Sequence, residues 1–180
     1  MRTPSSGRVI LLNGASSSGK STLARRLQDT LDIPFLLLSG DLLIEARSLP
    51  GRRDTEGPHP WVGQMRPRFF DGFHRCIPAM AAAGNDLIVE HVVEFAGWRA
   101  QLDELLSGFD VFWVAVHCDL AEIDRREAAR GDRTRGEGRA HIEQNHIHDH
   151  GPYDLHVDTT AGVTDDLVRT VIDSWKDAGR

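Results

Sequence analysis

Disulfide chemistry, membrane insertion and broad electrostatic capture of nucleic acid all find little support in this sequence. It has two cysteines in 180 residues, Cys76 and Cys118, far apart and without metal-type spacing. That usage points to reduced thiols and a cytoplasmic protein. No apolar run approaches the length that crosses a bilayer, and Met1 to Gly7 lack the apolar stretch of a signal peptide. With 27 acidic against 21 basic residues the net charge is −6, so no nucleic-acid partner held by a general positive field is expected. Positive charge is local instead, concentrated between Arg125 and Arg139. Neither internal repeats nor low-complexity tracts occur. What remains is the length of a single domain, read as spanning 1–180 and able to bury about 70% of its extended-chain surface.

Against that plain background one segment stands out. Gly14-Ala15-Ser16-Ser17-Ser18-Gly19-Lys20-Ser21 has the full G-x-x-x-x-G-K-[ST] spacing of a P-loop. Its context fits as well, because the apolar run Val9 to Leu12 enters it and a helix-prone stretch, Ser21 to Leu27, leaves it. The two glycines let the backbone curl so that successive N–H groups face phosphate oxygens, and the following helix adds the positive end of its dipole. Residues Gly14 to Ser21, with Thr22, are therefore the expected nucleotide site. Lys20 is expected at the β- and γ-phosphates and the Ser21 hydroxyl on Mg²⁺, with ATP as the phosphate donor.

Apolar runs recur at Val9–Leu12, Phe35–Leu38, Leu87–Val89, Val111–Val116 and Leu155–Val157. None alternates cleanly with polar residues, which suits strands covered on both faces of a parallel sheet. Helical spacing lies between them, as in Leu23, Leu27 and Leu31, or Leu167, Val168, Val171, Ile172 and Trp175. The expected fold is α/β: a doubly wound, five-stranded parallel sheet flanked by helices, of P-loop NTPase type. Ligands in such sheets gather at the carboxyl ends of the strands. The stretch from Arg47 to Pro60, rich in Gly, Pro and charge, is longer than a connector needs. With Trp61 and Phe70 it reads as a substrate-pocket segment over about 41–75, although the aromatics serve equally well to pack a helix onto the sheet.

Side chains with chemistry sit where that rule directs attention. Asp41 follows the second strand and is a candidate base for the proton of a substrate hydroxyl, or else a helix N-cap. Glu90 ends the third strand, where an acid organises Mg²⁺ or contacts substrate, and His91 beside it is a further substrate candidate. Arg126 and Arg130, four apart on one helix face, run with Arg133 into a glycine-interrupted stretch. They suggest an Arg-rich lid over about 126–140 that stabilises charge on a transferring phosphoryl group, with a salt-bridged surface helix as the alternative. His146, His148 and His150 would align three imidazoles only on an extended strand, so a metal site there is not favoured.

Taken together, these blocks resemble the chloramphenicol phosphotransferase family of small P-loop kinases. The likeness rests on Ile10–Gly14 with the P-loop, Asp41–Ala46, Asp110–Val114, Arg126–Arg133 and Tyr153–Thr160. It implies ATP-dependent phosphorylation of a hydroxyl on a small molecule, with antibiotic inactivation as the family's best-known use. Asp41 matches the family's proposed base, Arg126, Arg130 and Arg133 fall in its lid, and Asp158, Thr159 and Thr160 lie where related kinases hold the nucleotide base. The sequence departs from the family at Glu90-His91, where two adjacent acids are usual, and over Arg47–Trp61. A kinase of a cellular metabolite such as a sugar, nucleotide sugar or nucleoside is the second reading. A nucleotide-dependent switch without acceptor chemistry is the third, and it requires neither Asp41 nor the arginine lid.

Overall fold

Strand β1, Val9–Gly14, is buried along its whole length, as its unbroken apolar pattern requires. A computed structural model describes residues 6–46, 48, 60–130 and 135–179, with the side chains of 60–64 and 130 outside the description. β1 leads through the P-loop into α1 (Lys20–Thr30), then β2 (Phe35–Ser39), α2 (Gly40–Glu45) and α3 (Pro60–Ala82). The chain continues as β3 (Asp86–His91), α4 (Ala96–Leu105), β4 (Val111–His117), α5 (Leu120–Arg130), α6 (Glu137–Glu143), β5 (Leu155–Asp158) and α7 (Asp165–Asp177). The five strands are all parallel, in the order β2-β3-β1-β4-β5. This is the doubly wound sheet expected from the sequence, with the P-loop strand in its centre.

Alternation along β1 divides the core in two. Ile10 and Leu12 face α1 and α7, packing with Leu23, Leu27, Val168 and Trp175. Val9 and Leu11 face the opposite layer, where Phe73, Ile77 and Leu102 from α3 and α4 cover them. Each fully buried Leu or Phe in these layers contributes about 1.5–3 kcal/mol. The sheet thus fixes the carboxyl ends of β1, β2 and β3 side by side, with Ser39 paired to Glu90 and Leu12 paired to Glu90 on its other side. α3 is a long helix despite Pro67 and Pro78 within it. Phe70 and Phe73 on that helix are buried in the core, so for these two aromatics packing is the role observed. Among the described residues, no helix is long and apolar enough to cross a membrane.

Candidate active site

The P-loop curls as its glycines permit. Ser17 and Gly19 both take left-handed backbone conformations, φ 60° and 91°, and Gly19 sits at the N-cap of α1. Gly14 has no room for a side chain: a Cβ there would lie 2.5 Å from the Val116 carbonyl oxygen. Lys20 is buried, and its Nζ donates to the Ala15 carbonyl at 2.7 Å. The hydroxyls of Ser16, Ser17 and Ser18 are buried without a hydrogen-bond partner. Orphaned donors of this kind at a helix N-terminus, beside a lysine, are suited to a polyanion such as a triphosphate.

Two carboxylates join this loop in one cleft of about 410 Å³, lined by Ser16, Ser17, Gly19, Lys20, Ser21, Asp41 and Glu90, among others. Ser21 donates its hydroxyl to Glu90 Oε1 at 2.6 Å. Asp41 lies in the first turn of α2, whose N-cap is Ser39, so Asp41 is not the cap itself. Gly40 lets the turn that carries Asp41 pack closely on α3, because a Cβ at that position would meet the Phe70 ring at 3.2 Å. Phe70 thereby buttresses the turn that carries Asp41.

On the other flank Arg126 enters from α5. Its guanidinium donates to the Thr159 carbonyl at 2.6 Å and reaches the Ser17 carbonyl at 3.5 Å, and the residue lines the cleft. Glu122 aligns it at 2.8 Å, and Arg125 first, then Arg126, hold that carboxyl down at about 2. Glu127 accepts the N–H groups of Gly136 and Gly138 at 2.8 and 2.7 Å and so anchors the start of α6. Thr159 is fully buried, donating its hydroxyl to the carbonyl of Ser18 and approaching that of His117. Asp158 accepts the Thr160 N–H at 2.7 Å, and Thr160 Oγ1 accepts from Asp119 N at 2.9 Å. The Asp158–Thr160 block is therefore a bracket behind the P-loop, while Gly162 and Val163 beyond it reach the cleft. Trp61 and Arg130, as side chains, and Arg133 entirely, lie outside the described residues.

His91 points away from Glu90, to the other side of the sheet. It stacks on Trp98 with ring centres 5.5 Å apart and packs against Phe70. Its proton is placed by a chain of contacts. Gln101 donates to Asp71 at 2.5 Å, so its oxygen accepts from His74 Nδ1 at 2.8 Å. His74 Nε2 must then accept from His91 Nε2 at 2.9 Å. Burial first, then any charge on His74 and the positive Lys20 and Arg66, push His91 well below the ordinary histidine range. The histidines of 146–150 do not converge. His146 has φ 48°, His148 packs on His117 at 4.1 Å, and His150 lies 3.1 Å from the Glu94 carbonyl. Among the described residues, no three His, Cys, Asp or Glu side chains could hold a metal ion together. Mg²⁺ in phosphate-transfer sites needs only one or two protein oxygens, which the Ser21 and Glu90 pair provides.

Sequence reasoning missed Glu94, His141 and Asn13. Asn13 ties the P-loop strand to the Ile147 carbonyl and Tyr153 hydroxyl through its amide, and accepts from Val93 N. His141 Nδ1 accepts the Ser16 N–H at 3.2 Å. These partners are separated by up to 140 residues, and no local pattern marks them.

A family profile described as "Chloramphenicol phosphotransferase-like protein" matches residues 7–176. The Mycobacterium tuberculosis protein named "Putative O-phosphotransferase Rv2636" is 30% identical over 94% of this chain and 83% of its own length. The structure of the M. tuberculosis APS kinase CysC in complex with AMPPNP and APS superposes with a TM-score of 0.68 at 21% identity, covering 96% of this chain and 99% of that one. A gluconokinase from Sinorhizobium meliloti gives a TM-score of 0.57 at 16% identity, over 99% and 95% of the two chains. At these identities the two structures speak for a P-loop kinase fold, whereas the family match covers nearly the whole sequence. The chain belongs to the chloramphenicol phosphotransferase-like family.

Proposed function

We propose that this protein is an ATP- and Mg²⁺-dependent O-phosphotransferase that phosphorylates a hydroxyl of a small molecule, with an antibiotic or related xenobiotic as the acceptor. The observation that carries the reading is that Asp41, Glu90, Lys20 and Ser21 line one cleft at the carboxyl ends of adjacent parallel strands. A nucleotide-dependent switch uses one strand-end acid of the Glu90 kind for Mg²⁺ but has no need of a second acid, Asp41, in the same cleft. The xenobiotic acceptor is supported by family membership.

In this mechanism the P-loop amides and the hydroxyls of Ser16, Ser17 and Ser18 bind the triphosphate, and Lys20 neutralises its terminal oxygens. Ser21 and Glu90 would hold Mg²⁺, which when bound supplies charge neutralisation across the phosphates. Asp41 takes the proton from the acceptor hydroxyl, and a base so positioned is worth about 10²–10⁴ in rate. Arg126, fixed by Glu122 and the Thr159 carbonyl, adds positive charge at the loop's outer edge. Arg130 and Arg133, by family analogy, belong to the same lid over about 126–140, and Trp61 and the 41–75 segment to the acceptor side.

A second reading, phosphorylation of a hydroxyl-rich metabolite, draws on the polar lining of the cleft: serines, lysine, arginines and two carboxylates, with Phe70 set in the core behind it. Incubation of the protein with labelled ATP, Mg²⁺ and a panel of phenicols, aminoglycosides, sugars and nucleosides decides between them. Transfer of label to a xenobiotic alcohol supports the first reading and transfer to a sugar or nucleoside the second. MgATP binding with no transfer to any alcohol leaves the switch.

A further inference from the structure

One P-loop amide is engaged from outside the loop. Ser16 N–H donates to Nδ1 of His141, 3.2 Å away on α6, a residue 94% buried by its 6% exposure. Because Nδ1 accepts, the neutral ring carries its proton on Nε2, which faces Glu94 Oε1 at 3.7 Å, beyond hydrogen-bond length but well within electrostatic reach. Glu94 is itself paired with Arg66 of α3. Burial pushes the Glu94 carboxyl up, but His141 and Arg66 beside it more than offset this and keep it ionised, below its usual range. The Ser16 carbonyl, in the next peptide unit, also lies against α6: a Cβ on Gly138 would stand 2.5 Å from its oxygen. Both polar groups of one P-loop residue are thus addressed by a single short helix whose start is anchored by Glu127.

Resting on the kinase reading, we propose that His141 is a positioning residue for nucleotide binding, with Glu94 as its orienting partner. It holds the Ser16 peptide in the one orientation that leaves the following amides and serine hydroxyls turned toward phosphate. Without that contact the left-handed turn at Ser17 has another conformation to sample before each binding event, and affinity falls. The Arg66 contact extends the same arrangement to the helix on the acceptor side, so a molecule that draws Arg66 away alters the environment of His141.

MgATP titration calorimetry on the full chain tests this, and it requires no knowledge of the acceptor. His141→Ala is expected to weaken MgATP binding about fivefold to tenfold, the worth of one structural hydrogen bond. His141→Asn places a carboxamide oxygen near the position of Nδ1 and is expected to stay within about twofold of wild type, whereas His141→Gln, reaching further, behaves like the alanine variant. Glu94→Gln is expected to weaken binding in the same direction. Melting temperatures separate positioning from packing: a packing role lowers stability and affinity together in the asparagine variant too. Wild-type affinity in His141→Ala, or an asparagine variant as weak as the glutamine one, overturns the role of His141, and unaltered affinity in Glu94→Gln removes Glu94 from it. Failure of the wild-type protein to bind MgATP overturns the kinase reading itself.

Discussion

Replacing Gly138 with alanine sets two effects of opposite sign against each other. Gly138 lies inside α6, where alanine over glycine gains about 0.8–1 kcal/mol of helix propensity. The new methyl, however, would stand 2.5 Å from the Ser16 carbonyl oxygen, 2.6 Å from Ile123 Cγ2 and 3.0 Å from Glu127 Oε1. The first is P-loop backbone, and the second belongs to a fully buried residue, so neither can swing aside. Overpacking costs about 1–3 kcal/mol, and a clash with fixed backbone belongs to the upper part of that range, about 2–3, which leaves a net loss of about 1–2 kcal/mol. For a chain of this length that lowers the melting temperature by about 2–8 °C. Gly72 in α3 is the matched control, because a Cβ there meets nothing within 4 Å. Gly72→Ala should be stabilised by about the propensity gain alone. Thermal unfolding followed by circular dichroism reads both variants. If Gly138→Ala melts higher than wild type, α6 does not press on the P-loop as described, and the account of Ser16 fails with it.

The remaining expectations concern chemistry and pH. Asp41→Asn should lower turnover by about 10²–10⁴ while MgATP affinity stays near wild type; steady-state rates unchanged from wild type would remove Asp41 from the base role. Lys20→Ala should impair both MgATP binding and transfer, and ordinary kinetics from that variant contradict the P-loop assignment. His148 is pushed down to about 4, first by burial and then by His117, so its protonation is more favourable in the unfolded chain than in the folded one. Its contribution to stability is therefore complete above about pH 6.5 and is lost progressively as pH falls toward about 4, in the same direction as that of buried His74. Denaturant midpoints across that window should fall, and an NMR titration of His148 centred near 6.5 would contradict the packing described for it.

The sheet was readable in the sequence because parallel strands announce themselves as short, unalternating apolar runs, and Val9–Leu12 and Val111–Val116 are such runs. Gly14–Ser21 carried the loop geometry in its own spacing. Asp41 and Glu90 were accessible by a rule about strand ends, which needs only the order of elements. Other features depended on which face of a strand a residue occupies. Glu90 and His91 are neighbours in sequence, yet alternation sends one to Ser21 and the other into an aromatic layer with Trp98. The arginine-rich stretch left a lid and a salt-bridged surface helix both open; in the structure Glu122 pairs with Arg125 and Arg126, while Glu127 accepts the N–H groups of Gly136 and Gly138 and anchors α6. Contacts such as His141 with Ser16, 125 residues apart, follow from how α6 is laid against α5 and the P-loop and have no signature in local composition.

The P-loop is held from behind by parts of the chain that come last. Thr159 grips the Ser18 carbonyl across 141 residues, and Arg126 spans the same gap from α5. Local sequence can curl the first turn, but closing such distant loops belongs to the slow, late part of folding. A nascent chain that has not yet made β5 therefore carries the motif without its posture. Competence to hold a nucleotide should emerge only with the final strand, which makes nucleotide binding a reporter of completed folding.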